Sequence, residues 1–507
     1  MKTNTEKVMH VIRDLESGNN VYHVEKTITK RCRGTFPELN ASAVYTALAE
    51  LCGAGLLVRE GETYAITETR HDEDYLGQAV ARYITDNVPR DRLQPEEELR
   101  RAETAMSICL SRSQRAAVIG GLSHRLSVLT GGPGSGKTTM LKALCAAMPD
   151  AAPSDIMLLA PTGKAARRLA EQTGREATTV HAGIYEGLST RKYDDGSLTP
   201  RLLVVDEASM LSIKLLADLL RSVSETVRVV LVGDPDQLPA VGAGQVLRDL
   251  LDSTLPVYHL TDNFRQQNGS RLADAVELVR IGRTDLLFDA QTLDLVPTAS
   301  VQDAELLTQS LYTTMYQMGV QAQILTPYGD AGGPCSTVSL NAVIRDRVNP
   351  PSPAKLEAEV DGKLFRLGDE VIFCSNYRDV RNGDMGRIVG VGSADEVYVD
   401  VEFDFLSSSV RFTQAEIESR HLLDHAYAVT IHKSQGSEYD TVIIPLLPHH
   451  KHMWCNNMIY TALSRARKKV YLVGDADVLL HAIQTPLEPS NSLLLQKIRW
   501  NLPPVAV

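Results

Sequence analysis

Residues 126–140 read LSVLTGGPGSGKTTM, a short apolar run that enters a glycine-rich loop and then a helix-favouring stretch. The spacing Gly131-x4-Gly136-Lys137-Thr138 between a strand and a helix is what a loop needs to wrap a phosphate chain with its own backbone N–H groups. The helix start adds the positive end of a dipole. Gly131, Gly132, Pro133, Gly134, Ser135 and Gly136 form the cradle. Lys137 is expected to reach the β- and γ-phosphates of a nucleotide, Thr138 to bind Mg²⁺, and Thr139 to lie against the nucleotide. A glycine turn without a nucleotide is the competing reading, and the flanking strand and helix argue against it.

Outward from this loop, short apolar runs (IMLLA, LLVVD, VRVVLVG) alternate with helical stretches, and the texture recurs as QILTP, AYAVTI, TVIIPL and KVYLVG. Continuous apolar strands alternating with helices indicate buried parallel sheets with helical crossovers, here in two α/β halves. LLVVDEASM (202–210) delivers Asp206 and Glu207 from the end of a central strand. Asp206 is placed to hold Mg²⁺, and Glu207 is the natural base for an attacking water. LVGDPDQLPAVGAG (231–244) ends another strand in Asp234, Asp236 and Gln237. Gln237 either senses the γ-phosphate or belongs to a plain Asp-Pro-Asp turn. Between the halves, FRLGDEVIFCSN, GDMGRIVGVG and EVYVDVEF read as turn-punctuated antiparallel strands of a small inserted barrel.

The chain has 507 residues, of which 43% are hydrophobic and 23% charged, too many for one core and ordinary for a soluble protein. No apolar run approaches the roughly 18 residues of a membrane span, and the charged N-terminus does not read as a signal peptide. The seven cysteines are scattered without a C-x-x-C pair, so a reducing cytoplasm is expected. A net charge of −11 argues against a nucleic-acid coat but leaves room for a basic channel.

Residues 1–70 read as three helices (Glu6–Leu15, Val24–Cys32, Ala41–Ala54) and a hairpin, LLVREGETYAIT (56–67), the order of a winged helix. The segment holds nine Lys+Arg and nine Asp+Glu, and the third helix has no basic residue. Phosphate contacts need cations. A structural adaptor is therefore favoured over a DNA-binding module.

These motifs, in this order, resemble the superfamily 1 DNA helicases, and most closely the RecD-like branch that moves 5′ to 3′. The resemblance runs from CLSRSQ (109–114) to YLVGD (471–475). LSRSQ is similar to the motif that reads adenine, through Gln114. APTGKAARRL (160–169) and TTVHAGI (178–184) are similar to motifs Ia and Ib, which implies DNA contacts by Thr162, Lys164 and His181. LTDNFRQ (260–266) and MIYTALSRARK (458–468) imply two γ-phosphate arginines, Arg265 and Arg465. Ser464 stands where threonine is usual.

The box VTIHKSQGSEYD (429–440) resembles motif V. It implies Thr430, His432 and Lys433 on the DNA backbone and Gly436 and Glu438 on the nucleotide. Tyr328, in LTPYGD, either stacks a base or belongs to the core. His449, His450 and His452 lack a Cys or carboxylate partner and read as a solvent loop rather than a metal site.

The expected fold is α/β. It comprises two RecA-like P-loop domains, an inserted small SH3-like β-barrel and an N-terminal winged-helix-like domain. The expected boundaries are 1–70 for the winged helix, 71–105 for a helical linker, and 106–255 for domain 1A. Residues 185–200 lie where relatives carry a duplex-splitting pin; an Asp195-Gly196 turn permits a hairpin, and a loop is the alternative. Domain 2A follows at 256–360 and 421–485, split by the barrel at 361–420, with a tail at 486–507.

The implied activity is an ATP- and Mg²⁺-dependent 5′-to-3′ DNA helicase, acting on single-stranded DNA and single/double-strand junctions in repair or recombination. The alternative is a single-strand translocase or a subunit of a nuclease-helicase complex. A cytoplasmic monomer is expected, with a protein partner through residues 1–70 and no membrane association.

Overall fold

The computed structural model describes residues 3–86, 93–190, 198–262, 264, 271–329, 333–392 and 397–503. The chain divides into two units. Met1–Pro161, Leu169–Asp262 and Glu488–Val507 make the first, and Thr162–Arg168 with Asn263–Leu487 make the second.

The first unit is built on six parallel strands, in the order Ala177–Thr179, Ile156–Ala160, Leu202–Val205, Arg228–Gly233, Leu126–Thr130, Val257–His259. Every residue of Leu126–Thr130 and of Leu202–Val205 is buried. A strand covered on both faces can be apolar throughout, so these runs do not alternate. Neighbouring strand residues feed opposite cores: Val128, Val205 and Leu231 enter one, and Leu129, Val204 and Val232 the other. Helices Lys137–Ala146 and Ile213–Ser222 cover the faces. The carboxyl ends of the strands share one edge, with Thr130 beside Gly233 and Leu159 beside Val205. Open α/β sheets bind ligands at that edge. Val257–His259, beyond the boundary expected at 255/256, pairs with Leu126–Thr130 and so completes the first sheet.

The N-terminal segment contains helices Asn4–Glu16, Glu25–Thr35 and Ala41–Gly53, then the antiparallel pair Leu57–Glu60 and Thr63–Ile66. A short strand that the sequence did not suggest, His23–Val24, pairs on the other side of Thr63–Ile66. Val8, Ile12, Ile28, Val44 and Leu48 form a separate core here. Helices Thr67–Thr85 and Leu93–Met106 occupy the stretch expected as a linker. The C-terminal stretch expected as a tail holds helix Leu494–Asn501, which packs on Thr67–Thr85. Lys497 is buried there and donates to Glu73, at 2.6 Å, and to the Tyr22 hydroxyl, at 3.2 Å.

The second unit has five parallel strands in the order Leu293–Pro297, Ala466–Gly474, Tyr439–Leu446, Ala322–Thr326, Ala428–Thr430. Inserted between the last of these and helix Thr337–Val348 is an antiparallel module. It runs from hairpin Glu357–Val360/Lys363–Arg366 to strand Leu423–His425. Phe365, Phe373, Phe403 and Phe412 fill its core. Among the described residues no helix is long and apolar enough to cross a membrane. Residues 191–197 of the segment considered for a pin, and Arg265, lie outside the described residues; helix Val180–Thr190 covers the start of that segment.

Candidate functional site

Strand Leu126–Thr130 ends at Gly131, and helix Lys137–Ala146 begins after Gly136. Gly134 and Gly136 have φ of +82° and +80°, which turn the chain back on itself and which an L side chain rarely adopts. The loop therefore curls over the helix start, and the Lys137 ammonium donates to the Gly131 carbonyl at 2.7 Å. The Ser135 hydroxyl is buried and has no hydrogen-bond partner among the described residues. Lys137 has no carboxylate partner among them either. An unpaired cation, an orphaned hydroxyl and a helix N-terminus around left-handed glycines fit a phosphate chain. Thr138 donates its hydroxyl to Gln172 Oε1 at 3.1 Å, a partner that no motif announced.

Gln114 is buried beside this loop. It caps helix Arg112–Ser123: the Ser111 N–H donates to Gln114 Oε1 (3.0 Å), while Gln114 Nε2 donates to the Gly136 carbonyl (3.2 Å). Its amide thus braces the phosphate loop from behind. Ser111 and Ser113 both donate to Asp262 at 2.6 Å, and these two bonds hold the Asp262 carboxyl below its ordinary value.

Asp206 and Glu207 leave strand Leu202–Val205 at the same edge. Asp206 N–H donates to the Leu159 carbonyl at 2.9 Å, which ties the turn to the neighbouring strand. Glu207 has φ +53° and ψ +40°, a left-handed conformation that costs a side-chain-bearing residue about 1–2 kcal/mol. Its N–H donates to Asp206 Oδ1 at 2.9 Å. Such strain persists where the surrounding structure enforces it, commonly at functional sites. Gln237 is buried, and its Nε2 donates to Asp234 Oδ2 at 3.3 Å. The Gly131 N–H donates to the Gly233 carbonyl at 3.3 Å, joining the Gln237 strand to the phosphate loop. The first unit therefore brings Gln114, the 131–139 loop, Asp206, Glu207 and Gln237 to one sheet edge. A hydroxyl and a carboxylate there, Thr138 and Asp206, are the hard oxygen donors that Mg²⁺ takes. His181 is exposed near the start of helix Val180–Thr190.

In the second unit Thr430 closes strand Ala428–Thr430 and accepts from the Lys433 N–H at 3.3 Å. The Lys433 ammonium is exposed and sits 3.5 Å from Cys374 Sγ and 3.7 Å from Asp424. His432 is half-buried, and burial lowers its pKa. Thr162 accepts from the Ala165 N–H at 3.3 Å and so caps helix Gly163–Thr173. Residues 162–168, expected in the first half, belong to the second unit. Arg168 pairs with Glu438 at 2.7 Å, and Arg167 lies 3.3 Å from the Phe405 ring centroid and pairs with Asp384. Burial brings Lys164 down to about 8, with its ammonium 5.5 Å over the Tyr439 ring.

Glu438 also takes Arg467 at 3.1 Å, so two guanidiniums share its carboxylate. Gly436 has φ +74°, and an added Cβ would meet Ala165 Cβ at 3.2 Å. Arg465 is buried and donates to the Ser437 carbonyl (3.3 Å) and Ser464 Oγ (3.0 Å). Tyr328 is half-buried with its ring 5.3 Å from that of His450. His450 is buried while His449 and His452 are exposed, and among the described residues no three His, Cys, Asp or Glu gather as a metal site.

Three family models match in order. Residues 109–296 match an AAA domain, 340–403 the SH3 domain of ATP-dependent RecD-like DNA helicases, and 425–473 a UvrD-like helicase C-terminal domain. The sequence is 35% identical over 395 residues to the ATP-dependent RecD2 DNA helicase of Deinococcus radiodurans, a match covering 76% of this chain and 52% of that protein. It is 30% identical over 410 residues to the RecBCD enzyme subunit RecD of Mycolicibacterium smegmatis, covering 71% of this chain and 70% of that one. The chain thus spans about half the length of the Deinococcus relative. A crystal structure of Pif1 helicase from Bacteroides in complex with ADP-AlF3 and ssDNA superposes with a TM-score of 0.46 at 19% identity, covering 74% of this chain and 94% of that one.

Proposed function

The chain belongs to the RecD-like family of DNA helicases, and on that premise we propose that it is an ATP-driven motor that moves 5′ to 3′ along single-stranded DNA and opens duplex ahead of it. One observation carries this reading. The phosphate loop, the Asp206-Glu207 pair and Gln237 leave adjacent strand ends of one parallel sheet, with Thr130 beside Gly233 and Leu159 beside Val205. A site with a cation, a base and a polar sensor on one edge is equipped to hydrolyse a nucleoside triphosphate and not only to hold it.

In this reading Lys137 and the loop N–H groups bind the phosphates, and Gln114 steadies the loop. Thr138 and Asp206 would hold Mg²⁺, which would offset phosphate charge. Glu207 takes a proton from the attacking water, and Gln237 orients that water or registers the loss of the γ-phosphate. Arg465, and Arg265 by resemblance, would meet the γ-phosphate only in an ATP-bound state. Thr430, His432 and Lys433 grip the DNA backbone, with Thr162, Lys164 and His181 as further contacts. Backbone contacts read no base, so little sequence preference follows. The N-terminal segment, with its order of helices and strands, supports a winged-helix-like reading. Its balanced charge favours a protein partner over DNA.

A second reading, a motor subunit with weak unwinding of its own, draws support from the relative described as a RecBCD subunit. ATPase assays with and without single-stranded DNA test the site. Lys137→Ala is expected to lower DNA-stimulated hydrolysis by at least about 100-fold while leaving DNA binding intact. Turnover near the wild-type rate would refute the assignment.

A further inference from the structure

We propose that Asn19 is a positioning residue for the loop that carries Gln237, and that through it the N-terminal segment responds to the nucleotide. The inference rests on the hydrolytic reading of Gln237. Asn19 follows the first helix, Asn4–Glu16, in the stretch SGNNVYH, which matches no motif. It is buried, 9% exposed, and takes φ +69°, a left-handed conformation that Asn tolerates better than most residues.

That conformation aims both ends of the residue at one distant loop. The side-chain Nδ2 donates to the Ala240 carbonyl at 2.5 Å and to the Gly242 carbonyl at 2.9 Å. The Asn19 carbonyl accepts from the Gly244 N–H at 2.9 Å. The loop so held begins three residues after Gln237 and ends against helix Ile213–Ser222, where the Ile213 N–H donates to the Ala243 carbonyl at 3.0 Å. On its near side, Gln237 and Asp234 are bonded to each other, and Gly233 is bonded to the phosphate loop at Gly131.

The segment around Asn19 is held from the other side as well. Ser490 donates its hydroxyl to the Asn19 carbonyl, and Asn491 Oδ1 accepts from the N–H groups of Val21 (2.8 Å) and Tyr22 (3.0 Å). Residues 19–22 are therefore a joint. One side meets the loop behind the γ-phosphate sensor, and the other meets the C-terminal segment. The Ala240 carbonyl is buried and the Gly242 carbonyl partly buried, and each loses a donor if Asn19 is displaced, so the loop cannot shift freely while Asn19 holds it. A displacement of Gln237 on nucleotide binding must then move the joint or strain these bonds.

Two variants separate positioning from mere support. Asn19→Gly keeps the left-handed backbone and removes only the donor. Asn19→Asp keeps the shape and sets a carboxylate against the two carbonyls. At temperatures well below melting, DNA-stimulated kcat is expected to fall about tenfold in both, with KM for ATP within about twofold of wild type. Hydrogen exchange gives a readout that needs no turnover. In the wild-type chain, a non-hydrolysable ATP analogue with Mg²⁺ should slow amide exchange across residues 17–22, and Asn19→Gly should abolish that response.

Wild-type kcat in both variants, or exchange at 17–22 that ignores the analogue, would overturn the proposal. Failure of the hydrolytic reading shows itself elsewhere, as wild-type turnover that does not depend on Lys137. The exchange measurement still tests Asn19 in that case.

Discussion

Glu207 illustrates how the residue scale combines chemistry with cost. Its left-handed backbone, φ +53°, is unfavourable for glutamate, and a strand run such as LLVVDEASM gives no sign of it. The turn places the carboxylate one residue beyond Asp206 at the sheet edge, and Asp206 receives the Glu207 N–H. We expect Glu207→Gln to bind ATP with near wild-type affinity and to lose roughly 10²–10⁴-fold in turnover, the range for removal of a general base. Equilibrium binding of a fluorescent ATP analogue beside steady-state hydrolysis checks this; loss of binding would move Glu207 out of the base role. The phosphate loop was legible because its chemistry dictates residue types at fixed spacing. The contacts of Gln172 and Asn19 were not, since a side-chain amide bonded to a distant partner leaves no local pattern. The resemblance puts Glu438 on the nucleotide, and the Arg168 and Arg467 guanidiniums that flank it come from parts of the chain that no short motif joins to it.

At the scale of elements, buried strands declared themselves through unbroken apolar runs, as in LLVV at 202–205, and the inserted antiparallel module through its turns. The C-terminal helix did not. Leu494–Asn501 is short, and what stabilises it is its packing on Thr67–Thr85, over 400 residues earlier in the chain. Leu494 and Ile498 are fully buried there, each worth roughly 1.5–3 kcal/mol over an exposed position. This junction also gathers charge. Burial, with the negative charges of Glu73 and Asp252, pushes the Asp249 carboxyl up to about 7 from its ordinary 3.8.

Between those two values the folded chain keeps a proton that the unfolded chain has lost. Asp249 therefore lowers stability progressively as pH rises through that window, and by its full amount above it. Asp249→Asn should accordingly raise the melting temperature at pH 8, by roughly 2–4 °C for each kcal/mol relieved, and by clearly less at pH 5. Equal shifts at both pH values in thermal denaturation would mean that Asp249 is ionised at both and carries no such burden.

At the scale of the whole molecule, a chain with net charge −11 is read as a motor on a polyanion. The conflict eases once charge is considered locally. Net charge does not fix the local field, and Lys433 presents an exposed ammonium there, 3.7 Å from Asp424. The function proposed for the chain is directional, ATP-driven strand separation. It is tested most directly by offering the protein two labelled duplexes of the same sequence, one with a 5′ single-stranded tail and one with a 3′ tail, in the presence of ATP and Mg²⁺. The 5′-tailed duplex is expected to open and the 3′-tailed one to stay closed, and Lys137→Ala is expected to open neither. Opening of the 3′-tailed duplex, or no ATP-dependent opening of either, would contradict it.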